Sequence, residues 1–308
     1  MQPSHDRFFT QSKNMTYFFD ICQIMIRVEC PFQVNISPEM KPFLASTSQP
    51  DLVFRFLPVL KLSLPEAPIV DRGVSRYCQE PGGYSIYQCP VRSKEPYAKV
   101  SWHASEPMLL TCFYLDSGRP WITSSRAVID LLGLETVMLH RHALLLHAAF
   151  IRSNGRGILF TAPSGTGKST QASLWEKYMG AETLNGDRAG IRKIGDTWHA
   201  FGLPYAGSSN IYRNESAPLK ALVLLRQAKE NRISRISSAE AMRSIYPEIT
   251  IHRWDPDFVS KALDLFLELC TDVPVYLLEC LPNKAAVQTL EERLLLEEKQ
   301  SAMLTDEV

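Results

Sequence analysis

Gly157-Ile158-Leu159-Phe160-Thr161-Ala162-Pro163-Ser164-Gly165-Thr166-Gly167-Lys168-Ser169-Thr170 decides how this chain folds. Gly157 to Thr161 reads as a strand, and Gln171-Ala172-Ser173-Leu174-Trp175-Glu176 just after it as a helix. A glycine-rich turn between a strand and a helix is the setting a phosphate-binding loop requires. Glycine lets the backbone curl until successive N–H groups point at one anion. The helix start adds unpaired donors and a partial positive charge. Ser164, Gly165, Thr166, Gly167, Lys168, Ser169 and Thr170 are therefore the candidate nucleotide-binding residues. Lys168 would neutralise the β- and γ-phosphates, and the Ser169 hydroxyl would ligate Mg2+. The usual pattern is a glycine, four residues, then Gly-Lys-Ser/Thr. Ala162 stands at the first glycine, which asks only for an ordinary backbone angle, and the rest is intact.

Upstream, Leu144 to Ile151 reads as a strand joined to Gly157–Thr161 through a turn at Ser153-Asn154-Gly155. Before it, Thr123-Ser124-Ser125 offers a helix cap, and the apolar spacing from Ala127 predicts one helix to about His142. His140 and His142, two apart, cannot share a helix face as a metal pair. Downstream, strands are expected near 183–184, 189–194 and 197–201, then a Gly/Ser/Asn-rich loop from Gly202 to Asn214. Within that loop Arg213 is a candidate phosphate contact, and Ser208 and Ser209 are candidate donors. Leu219 to Leu225 is apolar throughout, as in a strand buried on both faces. Helices are expected over 237–245, 256–270 and 284–298, with a strand over 273–278.

The first half has a different texture. Thirteen of the 20 prolines fall in residues 1–150, which favours short strands and turns. Strands are expected over 17–28, 52–57 and 108–115, with 84–89 and 99–102 pairing as a hairpin. The fold class is thus mixed α/β: a β-rich domain over 1–120, then a nucleotide-binding domain over 121–308.

Composition excludes several classes. Lys plus Arg number 33 and Asp plus Glu 33, and neither half is polarised, with 14 basic and 13 acidic residues up to residue 150. A neutral chain lacks the electrostatic footprint of a nucleic-acid binder. No apolar run reaches the roughly 18 residues of a membrane span. The opening Met1-Gln2-Pro3-Ser4-His5-Asp6-Arg7 has no signal-peptide pattern. Seven scattered cysteines, none spaced C-x-x-C, point to reduced, buried thiols in a cytoplasmic protein. No nucleic acid and no membrane are expected as partners, and self-association is left open.

Leu146-His147-Ala148-Ala149-Phe150, the strand Gly157–Thr161 and Ser164–Ser169 together resemble the catalytic core of HPr kinase/phosphorylase. Relatives of that core include ATP-dependent phosphoenolpyruvate carboxykinase and the HPr-kinase-like enzymes of lasso-peptide gene clusters, which phosphorylate peptides. The resemblance covers about residues 144–230, with a weaker tail to about 290. It implies a mixed-sheet phosphate-loop domain using ATP and Mg2+ to phosphorylate a hydroxyl, in particular a serine of a protein or peptide acceptor. The family places a histidine on the strand before the loop, where this chain has His147, and an acidic motif after the loop helix, matched by Leu184-Asn185-Gly186-Asp187-Arg188.

The resemblance implies catalytic roles for Lys168, Asp187 and His147, and metal binding by Ser169 and Asp187. The family's acidic motif has two adjacent aspartates and this one has Asp187 alone, with either Gly186 or Arg188 in the other place. Asp187 must then serve as metal ligand or as base, with His147 or solvent taking the other part. Two other readings stay open: a nucleotide-binding regulatory module without turnover, and a small-metabolite kinase or carboxykinase.

Overall fold

The computed structural model describes residues 14–103, 105–205 and 207–305, with side chains to residue 300. The polar opening Met1 to Arg7 lies outside the described residues. The chain divides into two compact units, Met1–Leu134 and Glu135–Val308.

The first unit is a mixed eight-stranded sheet. Its strands are β1 (Met15–Ile21), β2 (Ile24–Cys30), β3 (Leu52–Pro58), β4 (Val70–Asp71), β5 (Ser75–Glu80), β6 (Gly83–Gln88), β7 (Ala98–His103) and β8 (Leu109–Tyr114), followed by helix α1 (Ser125–Leu132). The order across the sheet is β1-β2-β3-β8-β7-β6-β5-β4. The pairing of β6 with β7 is the expected hairpin. The single strand expected over 17–28 is instead two strands, β1 and β2, folded back on each other. Cys22 and Gln23 form their turn at φ 58° and 57°. Both central residues must be left-handed in such a turn, and the Asn or Gly that normally marks it is missing. Strand β5 was not expected, because Arg76 and Gln79 break its apolar pattern.

Helix α2 (Leu134–His140) begins at the division. The continuous helix expected to His142 is two helices, because Gly133 at φ 65° ends α1 in a left-handed cap. The expected cap is present: the Ser124 hydroxyl accepts from the Ala127 N–H at 3.1 Å.

The second unit continues with β9 (Ala143–Ser153), β10 (Arg156–Thr161), α3 (Lys168–Met179), β11 (Glu182–Asn185), β12 (Arg188–Ile194), β13 (Thr197–Gly202), β14 (Ser216–Gln227) and β15 (Arg232–Arg235). It ends with α4 (Ser238–Ile245), α5 (Pro256–Asp272), β16 (Val275–Cys280) and α6 (Lys284–Thr305). The sheet order is β10-β9-β12-β13-β14-β16-β15, with β11 on β9, and β10 also pairs with β14. The strands β10, β9, β12, β13 and β14 therefore close a ring, which works because β9 and β14, at 11 and 12 residues, are long enough to serve three ladders each.

Neighbouring residues of these strands feed opposite cores, as the period of two requires. Phe150, Leu222 and Leu224 pack with Ile245, Phe258 and Phe266 on the α4–α5 face. Ile151, Val223 and Leu225 pack with Trp175, Tyr276 and Leu290 on the α3–α6 face. That explains the unbroken apolar run in β14. The mixed α/β class expected from the sequence is the one observed. Among the described residues no helix is long and apolar enough to cross a membrane.

All seven cysteines are free and buried. Burial pushes the Cys30 thiol up to about 11, against a hydrogen bond to the Phe32 carbonyl, and Cys270 up to about 12. A thiol reacts as its thiolate. A disulfide-exchange thiol reagent at pH 8 should therefore label almost none of the seven in folded protein and all seven in guanidinium, read from released chromophore. Rapid labelling without denaturant would contradict this packing.

Candidate functional site

The site is assembled from the β9–β10 hairpin outward. Asn154 and Gly155, at φ 49° and 75°, make its two-residue turn, which fixes the register from Ser153 opposite Arg156 to Ala148 opposite Thr161. One residue further along β9 is His147, and the Thr161 hydroxyl donates to its carbonyl at 3.0 Å. The chain leaves β10 at Thr161 and turns through the glycine-rich loop, with Gly165 at φ 80° and Gly167 at φ 118°. Both angles belong to the region glycine tolerates best. The first hydrogen bond of α3 runs from the Gln171 N–H to the Gly167 carbonyl, 2.9 Å. The N–H groups of Lys168, Ser169 and Thr170 precede that bond and lack helical partners. Ser164, Gly165, Ser169 and Thr170 are exposed, Thr166 and Gly167 half-buried, and Lys168 is buried. Trp175, fully buried near Phe160 (ring centroids 6.3 Å apart), anchors α3 against the sheet.

The Lys168 ammonium donates to the loop's own Ala162 carbonyl at 2.7 Å. Burial pushes its pKa below the ordinary lysine range, and the Glu248 and Asp187 carboxylates pull the other way. Both carboxylates therefore act on the lysine that would meet the phosphates.

Asp187 reaches this place through a turn built on Asn185. The fully buried Asn185 carboxamide oxygen accepts from the N–H groups of Asp187 (2.9 Å) and Arg188 (3.0 Å), and its nitrogen donates to the Leu203 carbonyl (2.7 Å). The Asp187 carbonyl accepts from the Ala148 N–H at 3.0 Å. Its carboxylate then lies 3.8 Å from His147 Nε2 and 3.6 Å from Arg188 Nε. Lys168, Asp187 and His147, far apart in sequence, are thus gathered at the mouth of one loop.

The sequence reading missed Glu248, whose Oε2 lies 2.6 Å from His147 Nδ1 with the side chain 10% exposed. It ends the short turn Tyr246-Pro247-Glu248. No motif marks that turn, and the partners are 101 residues apart. The signal that places it is a strand edge. β12 occupies one edge of β9 at Leu146, and Ile249 bridges Leu146 on the other, where β10 has already turned away into the loop.

The loop from Gly202 to Asn214, of which residue 206 lies outside the described residues, folds over Asp187. A Cβ on Gly207 would stand 2.6 Å from Asp187 Cβ, and one on Gly186 2.5 Å from Ser209 Cβ. Arg188 lies over the Tyr205 ring at 5.6 Å. Ser208 is exposed. Arg213 differs from expectation: its guanidinium lies 3.8 Å from Glu215 and 4.0 Å from Glu182, in a surface ion cluster with Arg152 at the far end of β9. Opposite charge in two neighbouring carboxylates holds it there.

The oxygen donors Ser169 and Asp187 suit Mg2+, a hard ion that keeps several waters and substrate phosphate oxygens rather than needing a protein cage. No group of three or more His, Cys, Asp or Glu among the described residues forms such a cage.

A family model described as "SynChlorMet cassette protein ScmC" matches residues 128–291, more than half of the chain. No curated protein matches. Among solved structures, the HPr(Ser) kinase/phosphatase from Coxiella burnetii aligns at 13% identity and TM-score 0.31, over 53% of this chain and 99% of that one.

Replacing Asn185 with Ala removes all three bonds of its carboxamide and leaves the Asp187 and Arg188 N–H groups without that acceptor. The expected loss is about 2 kcal/mol of folding stability. Urea denaturation of N185A beside the wild type measures it, and an unchanged midpoint would show that the turn holds without its amide.

Proposed function

The chain belongs to the ScmC family of SynChlorMet cassette proteins, and from that premise we propose that it is an ATP-dependent kinase transferring a phosphoryl group to a hydroxyl, specifically a serine of a protein or peptide. The observation that carries this reading is the convergence of Lys168, Asp187 and His147 at the mouth of one glycine-rich loop. Phosphoryl transfer asks little covalent chemistry of a protein: it needs phosphates held in line and charge neutralised. The N–H groups of the loop and of the first turn of α3 bind the phosphates. Lys168 exchanges its bond to the Ala162 carbonyl for the phosphate oxygens. Ser169 and Asp187 would hold Mg2+, which supplies positive charge to the β- and γ-phosphate oxygens. His147 and Asp187 face the position from which an acceptor hydroxyl attacks. The acceptor class rests on the resemblance to peptide- and protein-phosphorylating kinases, and the cytoplasm is the proposed place of action.

One observation favours a second reading, a nucleotide-binding module without turnover. Position 186, where the resembled kinases have an aspartate in one alignment, is closed against Ser209.

Incubation with Mg2+ and γ-labelled ATP, with serine-containing peptides as acceptors, separates the two. The kinase should release ADP and label a peptide. K168A and D187N should lower turnover about 100- to 1,000-fold, the usual loss when a group that stabilises transition-state charge is removed. Tight ATP–Mg2+ binding without ADP release or any labelled acceptor would leave the second reading standing instead.

A further inference from the structure

We propose that Glu248 is a positioning residue of this site, supplying through His147 the second carboxylate that position 186 cannot provide. The proposal rests on the kinase reading above. Gly186 has no room for a side chain while Ser209 covers it. Glu248 approaches the same histidine from the opposite edge of β9, and it is firmly held. The Thr250 N–H donates to the Leu145 carbonyl at 2.8 Å, and Arg253 donates to the Pro247 carbonyl at 3.0 Å. Arg188, the neighbour of Asp187, donates to the Thr250 hydroxyl at 2.9 Å. The segment carrying Glu248 is therefore tied both to the strand of His147 and to the turn of Asp187.

The chemistry follows from the donor inventory. With the Glu248 carboxylate as acceptor of the 2.6 Å bond, the proton between the two belongs to His147 Nδ1. That bond fixes both the tautomer and the rotation of the ring. Nε2 is thereby turned toward Asp187 Oδ1, 3.8 Å away. A gap of that length is too wide for a direct hydrogen bond, so of the two carboxylates Glu248 is the one bonded to the ring. The direct bond of Glu248 in this arrangement is to His147. Its contribution is the orientation of His147 beside the carboxylate that does the work.

A simple structural pin would predict a loss of thermal stability alone, so the test reads more than folding. In protein labelled with 15N-histidine, His147, assigned by its loss in H147N, should show the Nδ1–H tautomer with a low-field ring proton. E248A should abolish that signal and lower kcat about 10- to 100-fold, as removal of a partner that orients a site histidine commonly does. KM for ATP should change less than kcat, because the carboxylate reaches the nucleotide only through its charge on Lys168. E248Q, which keeps a neutral acceptor of the same shape and covers the case in which E248A fails to fold, should recover part of the rate. Wild-type kcat in folded E248A, or a wild-type His147 protonated at Nε2 alone, would overturn the proposal. Wild-type protein that turns over no ATP would overturn the kinase reading, and the tautomer would then decide whether Glu248 holds the ring.

Discussion

Two residues, Asn154 and Gly155, hold the register on which the site depends. Their left-handed angles close the tightest antiparallel turn, leaving Ala148 opposite Thr161 at the far end of the hairpin. His147 therefore lies one residue beyond the partner of the last residue of β10, where the glycine-rich loop departs. A slip of one residue would turn every side chain of β9 to the other face. His147 would leave the loop, and Phe150 and Ile151 would exchange cores. Burial on both faces of the sheet opposes that slip, since Phe150 and Ile151 are both fully buried, in separate clusters. The apolar core and the polar site thus depend on the same register.

What the sequence made legible follows from how local each feature is. The hairpin, the loop and the following helix lie within one continuous segment, each marked by residues whose backbone preferences are strong: Asn-Gly for the turn, paired glycines for the loop. The Ser124 cap was legible for the same reason. The turn at Cys22-Gln23 was not, because neither residue advertises a left-handed conformation and the rest of the sheet imposes it. Gly133 could have been read as a helix end, but the apolar spacing continues across it and hides the break. Glu248 is the furthest from legibility. Its meaning arises only when Ile249 bridges the free edge of β9, a contact that no spacing between positions 147 and 248 encodes. Arg213 shows the reverse case, a basic residue in a promising loop that neighbouring carboxylates claim for the surface.

The loop over Asp187 closes position 186 to a side chain. Gly186 and Gly207 are close-approach positions: the first lets Ser209 close on the turn, the second lets the loop pass beside Asp187. A side chain at position 186 and a loop packed this tightly over it exclude one another. The chain has the loop, and Tyr205 of that loop stacks on Arg188. Glu248 brings a second carboxylate to His147 from a different part of the fold.

That distribution of charge also constrains what the loop can bind. With 33 basic and 33 acidic residues, the protein attracts no anion by bulk charge, so any affinity for phosphate has to be local. At the loop the positive side is one buried lysine and a set of N–H groups, while two carboxylates act on that lysine. A bare phosphate oxygen about 4 Å from either carboxylate would cost about 4 kcal/mol at the effective dielectric near a protein surface. Two such encounters would cancel much of what the loop supplies. A divalent cation held by Asp187 would turn one of those repulsions into attraction. On the kinase reading proposed above, the site would therefore favour a nucleotide that arrives with its metal over free polyphosphate, because the carboxylates that act on Lys168 repel a bare phosphate.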